Sequence, residues 1–169
     1  MGLSVEISFQ GEQNSFLKAN MKKIRTHYIR DGRAPTPRKE STSRVMRANK
    51  SKGTKPELTL RNILRRQGLV GARYNYKVIE GRPDIAYPAR KIAIFVNGCF
   101  WHACTKCSTP PKTHKQFWAK KFERNKARDR RKINILRKAG WQVLAVWEHS
   151  IRQDTSKVVQ SIEGLFRSS

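Results

Sequence analysis

The chain has 169 residues, enough for one domain with a real hydrophobic core and a modest appendage. Its 37 lysines and arginines against 12 aspartates and glutamates give a net charge of +25, far beyond what solubility needs, so a polyanion, nucleic acid first, is the favoured partner. No apolar run approaches the roughly 20 residues that span a bilayer, and no continuous apolar segment opens the chain, so a membrane role is not expected and a cytoplasmic location is.

Residues 1–40 mix Gly, Gln, Asn and Ser with basic residues and read as a basic N-terminal extension, a flexible or partly ordered arm. They hold 8 basic and 4 acidic residues, so of the +25 they account for +4 and residues 41–169 for +21; the field belongs mainly to the second segment, which is expected to be the functional domain. Thr54 caps a first predicted helix, with Pro56 in its first turn, Leu60, Ile63 and Leu64 on one stripe and Gly68 as its stop. Strands are predicted at Tyr74 to Val78, Asp84 to Tyr87 and Lys91 to Val96; the third, with its unbroken Ile92-Ala93-Ile94-Phe95-Val96, suits a strand covered on both faces.

A long helical region, in one piece or two, is predicted over about 113–139, and Gly140 ends it before a strand at Gln142 to Trp147. A helix joining the third and fourth strands makes a parallel crossover the natural geometry. Ser156 to Phe166 carries Val158, Val159, Ile162 and Leu165 at helical spacing and is predicted to pack on the sheet. The chain is thus an α/β protein of order αβββαβ.

Cys99, Cys104 and Cys107 fall within nine residues, and His149 lies just beyond the last predicted strand. Four N/S ligands are what tetrahedral Zn²⁺ requires, and three closely spaced cysteines suit metal thiolates better than a disulfide framework. Asp84, after the turn Gly81-Arg82-Pro83, caps that turn or faces a cation; Glu57 sits at the edge of the first helix's core-facing stripe and can look toward the sheet. On the long helix, Trp118, Phe122, Asn125, Asp129, Ile133 and Leu136 share one face, so Asn125 and Asp129 interrupt an apolar stripe and need partners or a function.

An acidic helix residue, a Pro-Asp at the second strand and an apolar third strand form the layout of the PD-(D/E)xK nucleases, where hard carboxylates hold Mg²⁺. The acidic residue and lysine expected on the third strand are missing: Phe95, Val96 and Asn97 stand there. Further on, Ile94-Phe95-Val96-Asn97-Gly98-Cys99-Phe100-Trp101-His102, with Gly81-Arg82-Pro83-Asp84 before it and Trp141-Gln142-Val143-Leu144-Ala145-Val146-Trp147-Glu148 after it, closely resembles the very short patch repair (Vsr) DNA mismatch endonucleases. The likeness runs from Ser43-Arg44-Val45-Met46-Arg47 to about Arg152, in the family's motif order.

That resemblance implies a PD-(D/E)xK restriction-endonuclease-like core over residues 41–169 and a Mg²⁺-dependent endonuclease that nicks one strand of DNA beside a T:G mismatch left by deamination of 5-methylcytosine. It makes Asp84 and the carbonyl of Val96 the Mg²⁺ ligands, His102 the general base, Asp129 its orienting partner and Glu57 an outer member of the site. Phe100, Trp101 and Trp118 would wedge into the duplex, Met46 would enter from the minor-groove side, and Arg47 would bind DNA beside it. It implies double-stranded DNA and mismatch-repair proteins as partners, and a nucleoid-associated place in the cytoplasm.

The zinc set departs from the best-known family pattern. Cys104 takes the place of a histidine, Cys107 lies one residue late, and His149 follows Trp147-Glu148 where a cysteine is expected, so the ligand types are swapped between two positions while the Cys₃His composition is kept. Asn97 replaces a second catalytic histidine and cannot exchange a proton at neutral pH. Two competing functions follow: a restriction-type nuclease of this fold that needs no mismatch, and a non-catalytic zinc-stabilised DNA-binding protein. Carboxylates at Glu57, Asp84 and Asp129 count against the second, since a pure phosphate binder has no use for them.

Overall fold

A computed structural model describes residues 40, 44, 48–50, 52–77 and 81–168. The extension up to residue 39, Met46 and Arg47, and the predicted strand end at Val78 therefore lie outside the described residues.

Helix α1 runs over Lys55–Arg66, with Pro56 in its first turn. Thr54 occupies the N-cap, but its hydroxyl does not accept a backbone N–H as a cap would. It donates to Glu57 Oε1 at 2.8 Å, and Glu57 Oε2 reaches back to accept the N–H of Gly53 at 2.9 Å. The carboxylate thus satisfies the helix start and lies at the positive end of its dipole. The helix ends as predicted: Gly68 takes φ +75°, Gly68 N–H donates to Arg65 C=O and Leu69 N–H to Leu64 C=O, the paired bonds of a Schellman stop.

Four strands follow, β1 (Arg73–Tyr74), β2 (Ile85–Tyr87), β3 (Ile92–Asn97) and β4 (Gln142–Trp147), lying side by side in that order. The β1–β2 and β2–β3 pairs are antiparallel, and β3 pairs with β4 in parallel from Ile92↔Gln142 to Asn97↔Trp147. Helix α2 (Lys115–Lys138) makes the connection between β3 and β4 and is a single continuous helix. Strand β1 is shorter than predicted because Asn75 adopts φ +49°, a turn conformation that ends the extended run.

Two further helices close the domain, α3 (Glu148–Gln153) and α4 (Thr155–Arg167). The sequence pattern signals α4 but not α3, which is too short for a periodic stripe yet buries Ile151. Asp154 caps α4 by accepting the N–H of Lys157 at 3.1 Å.

Ile85 and Tyr87 on β2 alternate with Ala86, as Ile92 and Ile94 on β3 alternate with Ala93, and register sets Ile85 beside Ile94 and Tyr87 beside Ile92 on one face. That face packs with Leu60 and Leu64 of α1, Ile151 of α3 and Val158, Val159 and Ile162 of α4 into one core. Along β3 burial relaxes from Ile92, Ala93 and Ile94 to the half-buried Phe95, Val96 and Asn97, so the strand emerges toward solvent where the chemistry-bearing residues begin. Among the described residues no helix is long and apolar enough to cross a membrane.

Candidate active site and metal centre

The turn before β2 is built around Gly81, whose φ is +116° and where a Cβ would stand 3.2 Å from Leu136 Cδ1; only glycine fits. The turn delivers Asp84 one residue before the β2 ladder, where its side chain does what a strand partner would have done: Oδ2 accepts the N–H of Val96 at 2.8 Å. The Asp84 carbonyl accepts from Asn75 N–H at 3.2 Å and from Arg61 Nη2 at 3.3 Å. Among the described residues no donor reaches Oδ1. Burial pushes the Asp84 carboxyl above its usual range; the Val96 N–H opposes this, the nearby Glu57 charge adds to it, and Arg61 and Lys132 act against it. A half-buried carboxylate with one oxygen unpartnered and its charged form disfavoured could take a cation there.

Glu57 is only 4 % exposed. Its charge is felt at Asp84, but its oxygens are occupied by Gly53 N–H, Thr54 Oγ1–H and, at 3.1 Å, Arg61 Nη2. It acts on Asp84 through space and through Arg61.

Beyond β3 the chain turns back at once. His102 N–H donates to Gly98 C=O and Cys104 N–H to Cys99 C=O. Helix α2 clamps this loop with the two polar residues that interrupt its apolar stripe: Asn125 Nδ2 donates to the Trp101 carbonyl at 2.9 Å, and Asp129 Oδ2 lies 2.6 Å from His102 Nδ1. Burial pushes the Asp129 carboxyl up, but the hydrogen bond and charge of His102, with Arg128 behind them, outweigh it and hold the group below the ordinary carboxylate range. An ionised carboxylate can only accept, so Nδ1 of His102 carries the proton of this bond and Nε2 is the ring nitrogen that Asp129 does not engage.

Cys99, Cys104, Cys107 and His149 converge so that their ligand atoms all lie within 4.8 Å of one another. His149 Nδ1 stands 3.3 Å from Cys99 Sγ and 3.5 Å from Cys104 Sγ and Cys107 Sγ. Metal bonds of about 2.3 Å to sulfur and about 2.0 Å to nitrogen give a tetrahedral N···S edge of about 3.5 Å, so the donor set fits one tetrahedral ion. Helix α3, the element with no sequence signal of its own, supplies the fourth donor. One residue earlier, Glu148 Oε2 accepts the N–H of Cys99 at 3.2 Å, a second tie between α3 and the loop.

Around the loop lies an aromatic cluster: Phe100 meets Trp101, Trp118 and Phe122 edge to face at centroid distances of 5.1, 5.3 and 5.8 Å. Lys121 Nζ lies 5.5 Å from the ring centroids of Trp101, Phe117 and Trp118. Phe100 and Trp101 are half-buried, whereas Trp118 is 8 % exposed and backs them from α2.

The family profile described as DNA mismatch endonuclease Vsr matches residues 36–108. The DNA mismatch endonuclease Vsr of Escherichia coli K12 is 39% identical over 116 residues, covering 68% of this chain and 73% of that protein. The chain belongs to the Vsr endonuclease family. The type II nicking enzyme V.NaeI of Lentzea aerocolonigenes is 40% identical over 137 residues, 76% of this chain and 80% of its own length. The type II nicking enzyme V.NmeDIP of Neisseria meningitidis serogroup C is 35% identical over 130 residues, 76% of this chain and 87% of its own. The catalytic domain of the homing endonuclease I-Bth0305I aligns over 69% of this chain with a TM-score of 0.49 and 23% identity.

In this Vsr-family endonuclease, then, Asp84 before β2 is tied to β3 at Val96, and Asp129 and Trp118 of α2 meet the loop after β3 at His102 and Phe100. Sequence reasoning missed Arg61 and Glu148. Arg61 had a signal, the four-residue spacing from Glu57 on one helix face; Glu148 had none, because its partner Cys99 is 49 residues away.

Proposed function

We propose that this Vsr-family endonuclease nicks one strand of duplex DNA beside a T:G mismatch arising from 5-methylcytosine deamination, in a reaction that depends on Mg²⁺. The observation that carries the reading is the His102–Asp129 pair at 2.6 Å, on the loop that continues the strand whose Val96 N–H holds Asp84. Asp84 and the Val96 carbonyl would hold the Mg²⁺, which when bound offsets charge on the scissile phosphate. His102 takes a proton from the attacking water at Nε2. Asp129 holds the ring in the tautomer that leaves Nε2 free, and its ionised carboxylate stabilises the imidazolium that forms. Glu57 keeps its place behind Asp84. Asn97 contributes a hydrogen-bonding amide only.

Cys99, Cys104, Cys107 and His149 would hold Zn²⁺ in a structural role, since a closed set of four protein donors leaves no position for substrate. Duplex DNA would be drawn by the basic domain, with Met46 and Arg47 contributing from the basic segment before α1, and the protein would work at the nucleoid in the cytoplasm. That several relatives are named nicking enzymes supports cleavage of a single strand.

Mismatch selectivity is assigned to Phe100 and Trp101, with Trp118 behind them, because unstacking costs least at an already weakened pair. Phe100→Ala or Trp101→Ala is expected to remove most of the preference for T:G over matched duplex, by about 1–3 kcal/mol per stacking contact. Binding to any duplex should largely survive, carried by the +21 of residues 41–169. Titrating both duplexes at two salt concentrations separates the effects; unchanged discrimination in both variants would return the rings to a packing role.

A further inference from the structure

Asp84 is held at both ends, and one of its holders is a side chain from another element. The N–H groups of Asn75, in the turn after β1, and of Val96 on β3 reach it from backbone, but the third donor is Arg61 on α1. The same Arg61 nitrogen, Nη2, donates to the Asp84 carbonyl at 3.3 Å and to Glu57 Oε2 at 3.1 Å. The guanidinium carbon lies 4.5 Å from the ring centroid of Tyr74, whose partner across the β1–β2 pair is Ile85, next to Asp84. The Arg61 side chain is 13 % exposed, and its Nε is buried with no hydrogen-bond partner among the described residues.

An i,i+4 ion pair on a helix surface needs none of this. Burying a guanidinium and leaving one of its donors unsatisfied costs folding free energy, so the arrangement calls for a return elsewhere. From this geometry we infer that Arg61 is a positioning residue for Asp84: it fixes the carbonyl so that the carboxylate, pinned at Oδ2 by Val96, presents Oδ1 outward, and it places a positive charge between Glu57 and Asp84. The inference rests on the reading of Asp84 as a metal ligand. The groups facing Asp84 are Glu57 and Arg61 from α1, the Val96 N–H from β3 and Lys132 from α2. Of these only Arg61 links Asp84 to Glu57. The flat guanidinium lies over the Tyr74 ring while its Nη2 reaches both acceptors, a shape that the compact lysine ammonium does not reproduce.

The test uses the full chain, zinc-loaded, with Mn²⁺ alone as probe followed by electron paramagnetic resonance, beside the Mg²⁺ concentration that half-saturates nicking. Arg61→Met is expected to weaken Mn²⁺ binding and raise the Mg²⁺ requirement by about 10–100-fold, the range for groups that orient a metal's ligands. Zinc content should be unchanged and duplex affinity should stay within about two-fold, because the +21 of the domain supplies it. Arg61→Lys should fall between. Wild-type Mn²⁺ affinity in Arg61→Met, with only a lower melting temperature, would overturn the inference and leave Arg61 a packing residue. If Arg61→Met does not fold, Arg61→Lys decides: weaker Mn²⁺ binding upholds the role and wild-type binding overturns it. Asp84→Asn is the control. Equal Mn²⁺ binding by wild type and Asp84→Asn would overturn the assignment of Asp84 and the role of Arg61 with it, whereas loss in Asp84→Asn with none in Arg61→Met or Arg61→Lys overturns the role of Arg61 alone.

Discussion

Asp84→Ala is expected to abolish strand cleavage, by about three orders of magnitude or more, while leaving DNA affinity at or above that of the parent protein. On the proposed reading the carboxylate would face the phosphates, so its removal would relieve repulsion as it removes a Mg²⁺ ligand. The milder Asp84→Asn, which keeps an oxygen to accept the Val96 N–H, should raise the melting temperature of the metal-free protein at neutral pH. The sign follows from the raised carboxyl: the native state disfavours the charged form, so the penalty is complete above the native titration point and fades as pH falls through it. The advantage of Asp84→Asn over the parent should therefore shrink on acidification. Melting curves across pH, beside a nicking assay and a binding titration, check all three statements; Mg²⁺-dependent nicking by Asp84→Ala would place the site elsewhere.

Loss of the Cys₃His ion should be the second large effect. About one zinc per chain is expected by elemental analysis, and His149→Ala or removal of the metal by a chelator should lower stability by about 4 kcal/mol or more, in the upper tail of single changes, or on the order of 10 °C in melting temperature. The four donors connect the loop after β3 to α3, and that loop also carries Phe100, Trp101 and His102. The sheet and its helices have a core of their own, so the domain should keep its secondary structure while the loop loses its shape. Activity should therefore fall further than circular dichroism does. Absence of zinc, or unchanged zinc content in His149→Ala, would contradict the ligand assignment.

Much of this was legible in the residues because the strongest signals are local. Gly140 followed by an apolar run places β4 at Gln142–Trp147, and Gly68 ends α1 one residue past its cap. The stripe on α2 broken by Asn125 and Asp129 pointed to partners, and both are found on the loop at Trp101 and His102. What was not legible depends on distant pairing. Strand β1 stops at Tyr74 because of the conformation of Asn75, and β2 starts after Asp84 because a side chain takes the N–H that a backbone carbonyl would have taken. Only the fold shows the Glu57 oxygens spent on the helix start and on Arg61, with its charge felt at Asp84. Helix α3 is six residues long, below the length at which periodicity shows, yet it brings in His149.

The most direct test of the repair reading is strand-resolved cleavage of two duplexes of identical sequence, one with a T:G mismatch and one with T:A at the same position, with and without Mg²⁺. The account predicts a single nick, on one strand of the T:G duplex only, and none in either duplex without a divalent ion. Equal cleavage of both duplexes would contradict it in favour of a restriction-type nuclease. No cleavage of either, with tight binding retained, would make Asn97 decisive and the protein a zinc-stabilised DNA binder.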